Sequence, residues 1–257
     1  MNDACLSVVI PAYNEEATLE EIIHKVLPIP HLLEVIIVDD GSTDNTYRLA
    51  QQLAETYELV RVVTQKNSGK TAALRSGFAM TRGSIVIVQD ADLEYDPEEI
   101  ADVIGPILSG NADVVYGSRF LVRKTTRVLY FYHYLANKSL TFFSNMLTNL
   151  NMTDIETCYK AFSGEIIRNM VIVSTGFGFE VEATAKIAKL ECAIYEVPIS
   201  YYGRTYAEGK KIGLKDGIMA IWLILRFNLL CSRRASFREM PAVNGLHRES
   251  IASGPSV

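Results

Sequence analysis

Cysteine is scarce: four residues, at positions 5, 158, 192 and 231, too few and too scattered for a disulfide framework, with no CxxC or Cys/His ladder of zinc-ligand spacing. A reducing compartment is expected. Long apolar runs are missing too, since the best candidate, residues 217–225, stops at Arg226 and falls far short of the roughly 20 residues a membrane span requires. The chain is therefore expected to cross no bilayer. The apolar run after Cys5 ends at Pro11 with no basic leader before it, so no secretory signal is expected. Glycine-rich phosphate loops fail as well. Gly69-Lys70-Thr71 has Thr64 where a P-loop requires glycine, and Gly176-Phe177-Gly178 has Val181 in place of the third glycine of a dinucleotide fingerprint. P-loop ATPase and dehydrogenase chemistry are excluded.

Acidic residues are absent from one long stretch. Residues 114–153 hold no Asp or Glu, while Arg119, Arg123, Lys124, Arg127 and Lys138 give them +5. Residues 204–234 carry seven basic side chains against Glu208 and Asp216, another +5, so a net charge of −5 leaves −15 on the rest. An acidic body with two basic segments points to an anionic partner. The overall acidity and the aliphatic company of these charges favour a phosphorylated lipid or a membrane surface over nucleic acid. The plainer reading of such charges is a solvated face.

With 49% hydrophobic and 21% charged residues, the bulk of the chain is not disordered. Residues 6–10, 35–38, 59–63, 84–88 and 113–116 read as strands, alternating with helices at 15–26, from 44 to about 57, 70–80 and from Pro97 onward. That alternation predicts a doubly wound α/β fold with a mostly parallel sheet. Beyond it come a long amphipathic helix within 127–150, a helix at 180–189, a strand at 193–197 and an apolar helix at 215–230. One domain, 1–231, is expected, with a donor half at about 5–120 and an acceptor half at 121–231, followed by a disordered tail at 232–257.

Ligands of open parallel sheets bind beyond the carboxyl ends of the strands. Six carboxylates, Glu15, Asp39, Asp40, Asp90, Asp92 and Glu94, fall just after predicted strands and so converge on one rim. Crowding them without a cation would be costly. Asp90 and Asp92, two apart in an extended segment, can share one hard cation, Mg²⁺ or Mn²⁺, and leave positions for phosphate oxygens.

Four segments then recur in a familiar order: Val9-Ile10-Pro11-Ala12-Tyr13-Asn14-Glu15, Val38-Asp39-Asp40-Gly41-Ser42-Thr43-Asp44, Asp90-Ala91-Asp92 and Gly117-Ser118-Arg119. They resemble the successive motifs of family 2 glycosyltransferases with the GT-A fold, and among these the dolichyl- or polyprenyl-phosphate mannose synthase kind. The resemblance covers roughly residues 5–230. It implies that Pro11, Tyr13, Glu15, Val38 and Asp40 hold the nucleoside of a nucleotide sugar, that Asp90, Ala91 and Asp92 hold its diphosphate and metal, and that Arg119 meets a phosphate. Glu94 stands where a glutamine is common and joins the metal set; His133 falls where the synthases place a second phosphate-binding arginine. Arg204, Lys210 and Lys211 match a basic loop that closes over donor diphosphate and acceptor phosphate.

Members that extend polysaccharides carry Gln-x-x-Arg-Trp, whereas the single tryptophan here, Trp222, follows Met219-Ala220-Ile221. The expectation is an inverting, metal-dependent transfer of a hexose from a GDP-mannose or UDP-glucose type donor to a polyprenyl phosphate, with Asp92, Arg119 and Arg204 central. The enzyme is expected in the cytoplasm, peripheral to the cytoplasmic face of a membrane, with a homo-oligomer or membrane-protein partner open. A soluble transferase using a hydroxyl acceptor, and a silent nucleotide-sugar binding module, are the competing readings.

Overall fold

A computed structural model describes residues 4–121, 127, 128, 130–203 and 214–243. Apolar β-branched runs form β1 (Leu6–Ala12), β2 (Leu32–Asp39), β3 (Val60–Thr64), β4 (Ile85–Val88) and β5 (Val114–Ser118). Between them lie α1 (Leu19–Val26), α2 (Thr46–Thr56), α3 (Lys70–Met80) and, after a 3₁₀ turn at Pro97–Glu99, α4 (Ile100–Leu108). The second half adds α5 (Phe131–Thr148), β6 (Lys160–Ser163), α6 (Gly164–Asn169), α7 (Phe179–Ala188), β7 (Ile194–Pro198), α8 (Leu214–Leu229) and α9 (Arg233–Ser236).

The strands make one sheet in the order β3-β2-β1-β4-β6-β5-β7, and only β6 runs against its neighbours. Helices cover both faces, which is why Ile85-Val86-Ile87-Val88 can be apolar throughout and buried throughout. The expected α/β architecture is the observed one. Gly77 lets α3 lie on the sheet: a Cβ there would come within 2.4 Å of Val9 Cγ1 and 3.2 Å of Val38 Cγ2.

Differences from the sequence reading have local causes. Helix α1 begins at Leu19 rather than Glu15, because Glu15 N donates to Thr46 Oγ1 (2.8 Å) and Glu16 N to Asp44 Oδ2 (3.4 Å), tying that segment to the next loop. Strand β6 was not expected. Its first residue, Lys160, is fully buried with its ammonium turned back on the carbonyls of Ile155 and Thr157, so a central strand opens on a charge. The disordered tail expected from 232 requires correction up to 243: Ser232 Oγ caps α9 at Ala235 N (3.2 Å), Phe237 is buried and bridged to Met170, and Arg238 N donates to Asn169 O (2.8 Å). One anchoring aromatic leaves no periodicity to read. The rest of that tail lies outside the described residues.

Helix α5 ends where Asn149 takes a left-handed conformation (φ 56). Of its eighteen residues only Thr141 and Ser144 are buried. It packs against α8, and the two leave Phe131, Tyr132, Phe142, Met146, Ile218, Trp222 and Leu229 exposed on their outer faces. Among the described residues no helix is long and apolar enough to cross a membrane. All four cysteines are free thiols.

Candidate active site

The carboxyl ends of β1, β2, β4 and β5 bring the four motifs to one rim, but their side chains are engaged very differently. After β1, Asn14 (φ 56) accepts from Thr43 N (2.8 Å) while its own N–H donates to Ser42 Oγ (3.0 Å), so the first two loops are stitched together. Tyr13 stays 37% exposed above them. Glu15 Oε2 accepts from Thr18 Oγ1 (3.1 Å). Pro11 lies beside Val38 in the register of β1 and β2. Val38 itself is wholly buried, its side chain facing Gly77 of α3, so only its backbone is left to a ligand.

Asp39 and Asp40 look inward. Asp39 accepts from Ser42 N (3.2 Å) and Thr64 Oγ1 (2.8 Å). Asp40, 4% exposed, accepts from Gln65 Nε2 (2.7 Å), Ser68 N (3.0 Å) and Gly69 N (2.7 Å). Its carboxylate therefore shapes the loop that leads into α3.

The Asp-x-Asp segment follows β4. Gln89 supports it from beneath, donating to Asp90 O (3.0 Å) and accepting from Tyr159 Oη (2.6 Å). Asp90 Oδ2 lies 2.8 Å from Lys70 Nζ. Burial works against that ammonium, but the charges of Asp90 and Glu180 and the hydrogen bond to Asp90 outweigh it and hold it protonated. Ala91 is buried, Asp92 Oδ1 accepts from Glu94 N (3.1 Å), and Glu94 Oε2 accepts from Tyr201 Oη (2.9 Å). Among the described residues no three His, Cys, Asp or Glu side chains converge into a ready-made cage, so Asp90, Asp92 and Glu94 share a loop without forming the expected three-ligand set. Hard oxygen donors on a partly exposed loop still fit Mg²⁺ or Mn²⁺, which commonly keeps one or two carboxylates and fills its shell with phosphate oxygens and water.

Arg119, after β5, is more deeply committed than its motif suggested. Its Nε and Nη2 donate to Asp154 at 2.6 and 2.8 Å and its backbone N–H at 3.2 Å, with Asp154 fully buried. Burial alone would raise the pKa of Asp154; the guanidinium and its hydrogen bonds overcome this and hold it below the usual carboxylate value. The guanidinium also stacks 5.0 Å from the Tyr201 ring centre. Two further bases gather here, which the motifs did not single out: Lys138 Nζ donates to Thr153 O (3.2 Å) and sits 4.4 Å over Phe120, and Arg127 Nη1 donates to Gly203 O (3.2 Å). His133 packs its ring 5.8 Å from that of Tyr130 on the first turn of α5. Arg204, Lys210 and Lys211 lie outside the described residues.

Glu156 lies within electrostatic reach of Arg119, Asp154, Lys160 and Glu180. Its Oε1 is enclosed without a hydrogen-bond partner. Burial and the neighbouring Glu180 push its pKa up to about 7, against about 4.3 in an unfolded chain. Between those values the folded protein holds a proton that the unfolded chain has lost, so stability falls as pH rises through that window and the full penalty is present above it. Glu156→Gln is expected to raise the melting temperature at pH 8 by several degrees and to leave it nearly unchanged at pH 4.5. Equal shifts at both pH values would show that the carboxyl is ordinary.

The profile of glycosyl transferase family 2 matches residues 7–171, well over half of the chain. The chain belongs to that family. It is a glycosyltransferase, and its matched span includes every loop of the rim described above. The polyprenol monophosphomannose synthase of Mycolicibacterium smegmatis is 29% identical over 214 residues, covering 80% of both chains. The dolichol-phosphate mannosyltransferase of Pyrococcus furiosus is 29% identical over 81% of this chain, which spans 59% of that longer protein. An undecaprenyl-phosphate 4-deoxy-4-formamido-L-arabinose transferase of Pseudomonas aeruginosa is 30% identical over 93% of this chain and 68% of its own length. Among solved structures, glucosyl-3-phosphoglycerate synthase from Mycobacterium tuberculosis superposes with a TM-score of 0.69 at 23% identity over 88% of this chain and 79% of that one, a likeness of the GT-A fold.

Lys70 is a further rim residue that the motifs do not single out. It is the first residue of α3, where the positive end of the helix dipole disfavours a cation. A lysine at that position requires an acid nearby, and that was the available signal.

Proposed function

We propose that this enzyme transfers a hexose from a nucleoside diphosphate sugar to a polyprenyl phosphate, with inversion at the anomeric carbon. The observation that carries the reading is the similarity, over 80% of both chains, to a polyprenol monophosphomannose synthase, joined by two relatives whose names also specify isoprenoid phosphate acceptors. The donor lies over the loops after β1, β2 and β4, with Asp90 and Asp92 at its diphosphate. Asp92, with Asp90 and Glu94 beside it, would hold a divalent cation, which would supply neutralisation of the leaving diphosphate.

A phosphate monoester has a second pKa near 6, so at neutral pH the acceptor is already largely dianionic and needs positioning and charge neutralisation rather than a base. Arg119, Arg127 and Lys138 give that end of the site a positive field. The phosphate oxygen attacks the anomeric carbon, the carbon–oxygen bond to the diphosphate breaks, and its electron pair leaves with the nucleotide. Arg204, Lys210 and Lys211 join the phosphate in this reading.

The lipid chain lies along the apolar outer faces of α5 and α8, docking the enzyme peripherally on the cytoplasmic face of a membrane. Trp222, 53% exposed and the single tryptophan, reports on this directly. Anionic vesicles are expected to shift its emission to the blue and to co-sediment with the protein, with release by high salt. Absence of both effects would remove the membrane from the reading.

A second reading is favoured by Glu156, whose pKa near 7 suits a general base for a hydroxyl acceptor. Nucleoside diphosphate release, measured with GDP-mannose and UDP-glucose in the presence of Mn²⁺, separates the two. Stimulation by polyprenyl phosphate supports the lipid-phosphate reading; stimulation only by hydroxyl acceptors overturns it.

A further inference from the structure

The two glycine motifs that fail as nucleotide fingerprints meet each other in space. Thr71 donates to Gly176 O through both its N–H (3.0 Å) and its hydroxyl (2.9 Å), and Phe179 N donates to Thr71 Oγ1 (3.1 Å). Backbones touch at the same point, since a Cβ on Gly69 (φ 88) would lie 3.1 Å from Gly176 Cα. This clasp fixes the start of α3 against the start of α7.

Its consequence is electrostatic. Lys70, first in α3, and Glu180, second in α7, face each other beside the Asp-x-Asp loop, with Lys70 Nζ 2.8 Å from Asp90 Oδ2 and 3.5 Å from Glu180 Oε1. The side chains of Asp90 and Lys70 keep 18% and 17% exposure and Glu180 keeps 9%, so the three form a partly exposed cluster at the rim, with Glu180 the most enclosed. Glu180 Oε2 has no hydrogen-bond partner, and neither has Glu156 Oε1. A charged oxygen left unpaired in a buried place is costly.

Asp90 and Glu180 set two carboxylates against one ammonium, Lys70, so this cluster carries a net negative charge. An unpaired carboxylate oxygen in an acidic setting accepts from neutral donors and repels a further carboxylate. We propose that Glu180 selects the transferred sugar, accepting hydrogen bonds from hydroxyls of a neutral pyranose seated over Lys70 and Asp90 and rejecting a uronic acid. This rests on the nucleotide-sugar reading above and adds the class of sugar to it.

Calorimetric titration in the presence of Mn²⁺ tests it, with UDP, GDP, UDP-glucose, GDP-mannose and UDP-glucuronic acid as probes. The unmodified protein is expected to bind a neutral-sugar donor at least about tenfold more tightly than UDP-glucuronic acid. Glu180→Gln, close to isosteric, should narrow that preference. Glu180→Ala should weaken the neutral donor by about 10- to 100-fold, the range for losing a hydrogen bond to a charged group, while nucleoside diphosphate affinity changes by less than about threefold. UDP-glucuronic acid bound as tightly as UDP-glucose by the unmodified protein overturns the proposal without any variant having to fold. An unchanged ratio of nucleotide-sugar to nucleoside-diphosphate affinity in folded Glu180→Gln and Glu180→Ala also overturns it. If neither UDP nor GDP binds, the nucleotide-sugar reading itself fails and this inference falls with it.

Discussion

Asp92→Ala is expected to lower sugar transfer by about 10³-fold or more while the protein melts within a few degrees of the unmodified chain. The two halves of that expectation have separate causes. Asp92 lies on a loop, partly exposed, where its Oδ1 accepts from Glu94 N at 3.1 Å, so its removal deletes no core volume. In the proposed reading Asp92 would hold a divalent cation against the leaving diphosphate and so control several kcal/mol of charge stabilisation, and each 1.36 kcal/mol is tenfold in rate. Asp90→Ala should also abolish transfer, but with a stability change, because it strips Lys70 Nζ of its 2.8 Å partner and leaves that ammonium beside Glu180 alone. Turnover at saturating Mg²⁺ or Mn²⁺, together with thermal melting, checks both. A folded Asp92→Ala enzyme with near-normal turnover would end the metal assignment.

The inner strands of the first half were legible because they are buried on both faces, and a run such as Ile85-Val86-Ile87-Val88 bounded by polar loops admits little else. That legibility carried the rim with it, since residues directly after parallel strands share one edge of the sheet. Spacing could not show where each carboxylate points. Asp40 stands in a motif expected to hold a nucleoside, yet it accepts three hydrogen bonds from the chain that leads into α3, and only the fold of residues 65–69 reveals this. Strand β6 escaped because Lys160 hides its charge by bonding carbonyls five and three residues back, a local device that hydrophobic patterning does not register. The apolar faces of α5 and α8 were legible as candidates for a membrane surface, but a helix stripe of Phe, Tyr and Leu reads the same whether it faces a core, a membrane or a second protein, and the fold shows that they are exposed.

Arg119→Ala is expected to cost both stability and transfer, and the two losses can be told apart. Removing one partner of the buried Arg119–Asp154 pair strands a carboxylate that is fully enclosed, at a cost of about 3–5 kcal/mol. At roughly 2–4 °C per kcal/mol for a chain of this size, the melting temperature should fall by about 6–20 °C. The pair's contribution holds above the ordinary aspartate value near 3.9 and disappears as pH falls through the lower folded value of Asp154, so acid should narrow the gap between variant and parent. Asp154 is also removed as a candidate base, since a buried carboxylate bound by a guanidinium has little affinity for a proton at neutral pH. Glu156 is then the carboxylate that the hydroxyl-acceptor reading requires. Below the melting temperature of each variant, the lipid-phosphate reading predicts that Arg119→Ala loses about 10²-fold in turnover with polyprenyl phosphate, through a weakened positive field and a displaced Tyr201, while nucleotide affinity changes little. The same reading predicts that Glu156→Gln retains most of its turnover with that acceptor across pH 6–8. Collapse of Glu156→Gln, with Arg119→Ala active in its folded range, would transfer the chemistry from a phosphate nucleophile to a deprotonated hydroxyl.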